Sequence, residues 1–178
     1  GKVSEGRSPN KHNSFYIQIE PLEDEMYEAI HKGDLPEIRI KKRIPEVVEA
    51  LTKLGWSGDE IKQVRDIYRG NLLLDQTRGE VHIGEVIEMV LDAFEMVMNQ
   101  GPLAREPCMK LKVSLTDMRL HEDAIHRGPA QVYPAVREGI RESMKTANPV
   151  MFEPVQTHLI EVPDKFLGTM TKLVSSKR

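Results

Sequence analysis

The chain has 178 residues, of which 39% are hydrophobic and 30% charged, and its formal net charge is −3. Its one cysteine, Cys108, excludes an intramolecular disulfide and a cysteine-rich metal site. No apolar run approaches the ~18 residues of a membrane-spanning helix and no signal segment opens the chain, so we expect a globular protein of the cytoplasm. Because the overall charge is acidic, any contact with nucleic acid has to come from a local basic region.

The first predicted elements are a turn and a strand. Residues 1–13 are polar, and the cluster Ser8-Pro9-Asn10 predicts a turn. From Phe15 to Glu20, apolar and polar residues alternate with the period of a β-strand, and Pro21 ends the pattern.

Residues 22–70 have the composition of an acidic, interrupted helical region, which we interpret as an insertion beside the sheet. The pattern predicts a helix over Asp24–Lys32 that Gly33 ends. Pro36 and Pro45 each stand where a further helix could begin, because proline is tolerated in the first helical turn.

The same region contains a basic run from Arg39 to Arg43. Acidic residues flank it on both sides, which favours a solvated helical face over an RNA-binding patch. Ser57 is a plausible cap for a helix over Asp59–Tyr68. We interpret Trp56, the only tryptophan, as a packing residue.

The middle of the chain predicts a strand over Asn71–Asp75 and a helix over Val86–Asn99. In that helix apolar residues recur with the helical period, and Gly101-Pro102 stops it. The acidic residues predicted to face outward are Glu85, Glu88, Asp92 and Glu95. Lys110–Thr116 then alternates as a strand with one apolar and one polar face.

The last third of the chain predicts two more helices and another strand. A helical stripe runs to Met144 and should start at Gln131 or Val132, with Pro134 in its first turn. Val155–Val162 is interpreted as a strand, and a helix should follow from Pro163.

Between the Lys110–Thr116 strand and the helix that follows it lies a loop, Leu120–Gln131, with two histidines. His121-Glu122 opens like a zinc-binding His-Glu-x-x-His helix, but the second histidine, His126, is at i+5 instead of i+4. On a regular helix the two side chains would lie roughly 140° apart, so they cannot share one ion.

The segment Leu120-His121-Glu122-Asp123-Ala124-Ile125-His126-Arg127-Gly128 resembles the diphthamide loop of the elongation factor 2 family, the translational GTPases of ribosomal translocation. Pro129-Ala130-Gln131 follows the glycine, as in the archaeal pattern. A second stretch, Ser8-Pro9-Asn10-Lys11-His12-Asn13, is similar to the other tip loop of the same domain. The resemblance covers essentially the whole chain.

The resemblance implies a set of functional residues and partners. His126 would be the histidine converted to diphthamide. The residues expected to contact the ribosome or its RNA are Lys11, His12, Asn13, Asp123 and Arg127. The implied partners are the small ribosomal subunit, the tRNA–mRNA duplex and the enzymes of diphthamide synthesis, with ADP-ribosylating toxins as a further candidate.

The resemblance also implies how the chain is organised. Residues 1–149 would be domain IV of the factor, with the helical insertion at 22–70, and residues 150–178 the first strand and helix of domain V. We therefore expect a piece of a longer protein. No phosphate-binding Gly-x-x-x-x-Gly-Lys-Ser/Thr motif occurs here, so GTP and Mg²⁺ would belong to the parent and no cofactor to this piece.

We expect an α+β fold in which helices cover one face of a mixed or antiparallel sheet. If the two loops form one tip, the Phe15–Glu20 and Lys110–Thr116 strands must run antiparallel. Two other functions remain open. One is a small acid–base or metal-dependent enzyme that uses Glu122, Asp123 and the two histidines. The other is a protein-interaction scaffold built on residues 22–70.

Overall fold

The computed structural model describes residues 1–79, 82–152 and 157–176. Within these ranges the chain forms a mixed five-stranded sheet with helices packed on it, which confirms the predicted α+β class. The elements are β1 Ser4–Arg7, β2 Ser14–Pro21, α1 Asp24–Lys32, α2 Pro45–Lys53, α3 Gly58–Gln63, β3 Val64–Tyr68, β4 Asn71–Asp75, α4 Ile83–Asn99, β5 Leu111–Arg119, α5 Pro129–Thr146 and α6 Leu167–Ser175.

The strand order in the sheet is β1-β2-β5-β4-β3. Neighbouring strands are antiparallel except β4 and β5, which are parallel and are joined through α4. A parallel pair needs such a crossover because a tight turn cannot bring the chain back to the same end. The strand β5 therefore lies at the centre of the sheet, and its last residues lead directly into the loop with the two histidines.

The larger of two hydrophobic cores lies between one face of the sheet and helices α4 and α5. Phe15 and Ile17 from β2 and Leu115 from β5 are fully buried in it. The edge strand β1 packs against α5 so closely that a Cβ on Gly6 would lie 1.8 Å from the carbonyl oxygen of Ala135. Glycine is required there because any side chain would overlap the helix backbone.

A second core covers the opposite face of β3 and β4. Leu72 and Leu74 point into it, whereas Leu73 between them belongs to the larger core, as strand alternation dictates. Helices α1 and α2 close this core with residues such as Met26 and Leu51. Trp56 is partly buried against it, so its interpretation as a packing residue is confirmed.

Several predicted elements agree with the structure. The strands at β2, β4 and β5, the helix α1 with Gly33 in the left-handed conformation, the helix at α4 and the C-terminal helix are all present. Ser57 caps α3 in a reciprocal arrangement with Glu60, as the sequence suggested. Pro45 begins α2.

The region 22–70 is less helical than predicted. The helix expected over Asp59–Tyr68 ends at Gln63, and the rest is β3, because Val64 and Ile67 are buried when that segment pairs with β4. No helix begins at Pro36, and the basic run is not a helical face. Instead the Ile40 amide donates to the carbonyl of Arg65 at 2.8 Å, so this segment lies along β3.

Three other predictions differ from the structure. Residues 1–13 contain the strand β1, whose short polar sequence hides its pairing with β2. Helix α5 begins at Pro129 and holds Pro134 in its interior, where the missing hydrogen bond affects only the exposed first turn. Residues 157–162 of the predicted Val155–Val162 strand are not a strand, and Val155 and Gln156 lie outside the described residues.

Candidate functional site at the sheet tip

Two loops meet at one end of the sheet. The first tip loop, Ser8–Asn13, precedes β2, and the second tip loop, Leu120–Gly128, follows β5. Because β2 and β5 are antiparallel, with Ser14 opposite Arg119, the start of one strand lies beside the end of the other. The predicted antiparallel arrangement is confirmed. We call the two loops together the tip.

Side-chain amides of the first loop hold the backbone of the second. The Asn13 Nδ2 donates to the carbonyl oxygen of His126 at 2.8 Å, and its Oδ1 accepts from the amide of His121 at 3.0 Å. The Asn10 Nδ2 donates to the same His126 oxygen at 3.1 Å, and Gln131 Oε1 accepts from the Asn10 amide at 2.8 Å. The backbone at His126 is therefore fixed from the first loop.

Three histidine rings lie against one another at the tip. Ring centroids are separated by 4.4 Å between His121 and His126, 4.9 Å between His12 and His126, and 4.9 Å between His12 and His121. His12 is exposed, while His121 and His126 are half-buried. No hydrogen bond to either ring nitrogen of His126 is formed within the described part of the chain, so this ring is held by contact with the other two.

The second tip loop contains one turn of 3₁₀ helix, Ala124–His126. The Asp123 carboxylate accepts from the amide of Ile125 at 3.0 Å and caps this turn, and the His121 Nδ1 accepts from the Asp123 amide at 3.0 Å. The His121 proton is therefore on Nε2 when the ring is neutral. The Ile125 side chain, in the middle of this turn, is 78% exposed.

Arg127 lies inside the protein, with only 5% of its side chain exposed. Its guanidinium donates to the carbonyl oxygens of His121 and Glu122 at 2.6 and 2.7 Å and pairs with Glu85 of α4. Arg127, with His82, holds the pKa of the Glu85 carboxyl below its usual range. Arg127 therefore ties the loop to α4, and its contact with the ribosome or its RNA stays a prediction.

Asn13 is buried as well, and its contact with the ribosome or its RNA likewise stays a prediction. Its side chain is 1% exposed, and both of its polar atoms are used within the tip. Lys11, His12 and Asp123, by contrast, are exposed, as a contact with a partner requires. Lys11 has a positive φ of 62°, a strained conformation for a residue other than glycine.

Sequence reasoning missed two exposed arginines near the tip. Arg7 ends β1 and Arg119 ends β5, and both register with Ser14, so they flank the first residue of β2. The Arg119 guanidinium lies over the ring of Tyr16 at 5.8 Å. Their proximity follows from strand register, which the separate sequence segments did not reveal. The basic surface of the tip therefore consists of Lys11, Arg7 and Arg119, with Arg127 behind it.

Within the described residues, no group of three or more His, Cys, Asp or Glu side chains has a geometry that could hold a metal ion. None of the helices in those ranges is long and apolar enough to cross a membrane.

The fold and the two-loop tip define a domain of a translation factor. Residues 36–148, more than half of the chain, match the family described as elongation factor G, domain IV, and the chain belongs to this family. Among its relatives is elongation factor 2 of Nanoarchaeum equitans, 52% identical over 178 residues, which are 98% of this chain and 24% of that protein.

Elongation factor 2 of Thermococcus gammatolerans and that of Pyrococcus furiosus are each 45% identical over 176 residues, which cover 99% of this chain and 24% of the relative. The chain thus spans about a quarter of the length of the curated relatives it matches.

Proposed function

We propose that this chain is the part of an archaeal elongation factor 2 that enters the decoding region of the small ribosomal subunit and accompanies the tRNA–mRNA duplex during translocation. Residues 1–149 would be its domain IV, and residues 150–178 the start of domain V. The observation that carries this proposal is the tip, where exposed basic side chains and three clustered histidines lie at one end of the sheet.

The chemistry of the tip suits a duplex that moves. An A-form duplex presents sugar hydroxyls and phosphates across its shallow minor groove, so contacts can follow it without reading its sequence. Lys11, Arg7 and Arg119 supply permanent positive charge, while His12 is exposed beside them. The exposed Asp123 carboxylate provides an acceptor for a sugar hydroxyl. Asn13 and Arg127 support this surface from behind.

His126 is the proposed acceptor of diphthamide. Its backbone is fixed by Asn10 and Asn13, whereas its ring lies against those of His12 and His121 and forms no hydrogen bond within the described residues. An unmodified histidine is only partly charged near neutral pH, and diphthamide would add a longer arm with a permanent positive charge. The enzymes of diphthamide synthesis, and toxins that ADP-ribosylate diphthamide, would then be partners of this tip.

In this proposal the chain works by steric and electrostatic contact in the cytoplasm and has no catalytic site of its own. GTP and Mg²⁺ would be bound by another domain of the parent factor. We therefore expect calorimetry to detect no micromolar affinity of this chain for GTP.

The modification can be tested by intact mass. The chain would be co-expressed with archaeal diphthamide-synthesis enzymes, and fragmentation would locate any added mass. We expect modification at His126 in the unchanged chain and in His121→Gln, which is the matched control because its ring lies in the same cluster. His126→Gln should gain nothing. Added mass at His121, or none on the unchanged chain while a full-length factor is modified, would contradict the proposal.

Contact with the ribosome requires a separate test. Binding of the chain to small ribosomal subunits should weaken when Lys11→Glu reverses the exposed charge of the tip, and Lys172→Glu in α6 provides a control far along the chain. Equal binding by both variants would contradict a tip contact.

A further inference from the structure

A groove of about 420 Å³ lies between α2, α3 and the segment 40–44 beside β3. Its floor is aliphatic and includes Ile44, Val47 and Ile61. This volume falls within the range of natural ligand-binding clefts, which is ~300–1,000 Å³. No residue of the tip lines the groove, so its occupant would not be the partner proposed for the tip.

The rim of the groove is basic in an otherwise acidic molecule. Lys42, Arg43, Lys62 and Arg65 line it, and none of the residues lining it is acidic. Lys62 has only an exposed partner, Asp59, at 3.6 Å, and such surface pairs contribute little. Lys42 and Arg43 form no ion pair within the described ranges. The rim therefore presents positive charge that the protein itself leaves largely uncompensated.

Arg65, which also lines the groove, has a buried donor that no described residue satisfies. Its Nε is buried and has no hydrogen-bond partner among the described residues, and its terminal nitrogen lies 3.6 Å from Asp75. A buried donor without a partner is unfavourable, so native structures rarely leave one. A carboxylate that enters the groove and draws the guanidinium outward would supply the missing acceptor.

The segment that forms one wall of the groove is anchored at its start, over residues 38–40, before any ligand binds. The Ile67 amide donates to the carbonyl of Ile38 at 3.1 Å, and the Ile40 amide donates to that of Arg65 at 2.8 Å. Arg39 between them is anchored to carboxylates of α4. A ligand that binds a preformed wall loses no affinity to the entropy cost of ordering that wall.

We propose that this groove binds an acidic peptide segment of a partner protein, with a large apolar side chain inserted between α2 and α3 and carboxylates on the basic rim. RNA fits the site less well. Unpaired bases are held by stacking on aromatic side chains, whereas the groove is lined by aliphatic ones, and phosphates alone would leave its floor in water. Apolar anchors surrounded by complementary charge are characteristic of protein recognition.

The test uses the 178-residue chain and a short fluorescent peptide rich in Glu and Leu. We expect saturable binding by anisotropy, and NMR methyl shifts at Ile44, Val48 and Ile61. The double variant Lys42→Glu, Arg43→Glu should weaken binding at least about tenfold, because both exposed charges are reversed. Its matched control, Lys2→Glu with Lys32→Glu, changes two exposed lysines by the same net charge and should bind normally.

Two comparison ligands make the test specific. A peptide with Ser in place of Leu should lose the methyl shifts, because the groove floor then has nothing to bury. Retained binding by the double rim variant, with circular dichroism showing it folded, would overturn the proposal. So would an RNA duplex that shifts the same methyl groups while the peptide does not, since that result would assign the groove to nucleic acid.

Discussion

The tip and the segment 36–44 are each held to α4 by one arginine, at different positions along that helix. At the tip, Arg127 pairs with Glu85 and with two backbone carbonyls. In the segment 36–44, Arg39 meets three carboxylates, from Glu88 at 2.9 Å, Asp92 at 2.6 Å and Glu95 at 2.8 Å. Arg127 thus orders the backbone of the second tip loop, whereas Arg39 neutralises the charge of three carboxylates on α4.

The comparison shows that a basic residue in a basic stretch is not by itself a sign of RNA binding. The acidic residues of α4 recur every three or four positions, so they form one stripe along the helix. They do face away from the core, as predicted, and arginines of two other segments pair with them, although Glu85 and Glu88 stay about half exposed. The planar guanidinium can pair with several oxygens at once, which suits arginine to this role.

The largest expected effect comes from removing Arg39. Arg39→Met removes four charge-assisted hydrogen bonds and leaves the partly exposed carboxylates of Glu88, Asp92 and Glu95 repelling one another. We expect the free energy of unfolding to fall by about 3 kcal/mol in urea denaturation. Lys41→Met is the matched control, because among the described residues Lys41 pairs with Glu88 alone, at 3.3 Å, and is 70% exposed. It should change stability by less than about 0.5 kcal/mol. Equal losses of stability in Arg39→Met and Lys41→Met would show that the three carboxylates do not depend on Arg39.

A smaller effect is expected at the tip. Arg127→Met removes three hydrogen bonds but takes the arginine partner from only one carboxylate, Glu85, which is exposed and keeps its contact with His82. We expect a loss of about 2 kcal/mol. Hydrogen exchange should accelerate at the amides of His126 and Arg127 and remain unchanged in β5. Arg119→Met, at an exposed arginine beside the tip, provides the control and should leave exchange as it was.

Asp66 of β3, which lies beside Glu95, predicts that the stability of the protein depends on pH. Burial, with a contribution from Glu95, raises the pKa of Asp66 from 3.8 to about 8. Its Oδ2 is buried without a donor, and a proton on Asp66 creates a hydrogen bond to Glu95. Because the folded state binds this proton more tightly than the unfolded chain, the contribution of Asp66 to stability is lost as pH rises from about 4 to 8.

Asp66→Asn isolates that contribution, because asparagine keeps a donor toward Glu95 and cannot ionise. The stability of the variant relative to the unchanged protein should increase between pH 4 and pH 8 by at least about 1.4 kcal/mol, the equivalent of one pKa unit. A difference that stays flat over this range would show that Asp66 is ionised in the folded protein.

The sequence predicted what depends on local periodicity. The strands β2 and β5 and the helix α4 follow from residue patterns within single segments, whereas the shared position of the two loops was expected from the family resemblance. The strand β3 could not be predicted in this way, because its buried positions are decided by pairing with β4. The edge strand β1 is too short and polar to show alternation.

At the candidate site, too, the sequence predicted some residues and not the roles of others. The loop residues Lys11, His12 and His126 were found from motifs, and the structure brings their loops together. The buried roles of Asn13 and Arg127 depend on partners far away in sequence, His121 and Glu85, which no local pattern identifies. The same is true of Arg39, whose partners lie on α4.

The most direct test of the account is the salt dependence of binding to small ribosomal subunits. Each phosphate contact contributes about 0.7–0.9 to the slope of log affinity against log salt concentration. If Lys11 contacts RNA and Arg127 only supports the tip, Lys11→Met should lower the slope by about that amount, whereas Arg127→Met should weaken binding without changing the slope. A slope that falls for Arg127→Met and stays unchanged for Lys11→Met would contradict the account.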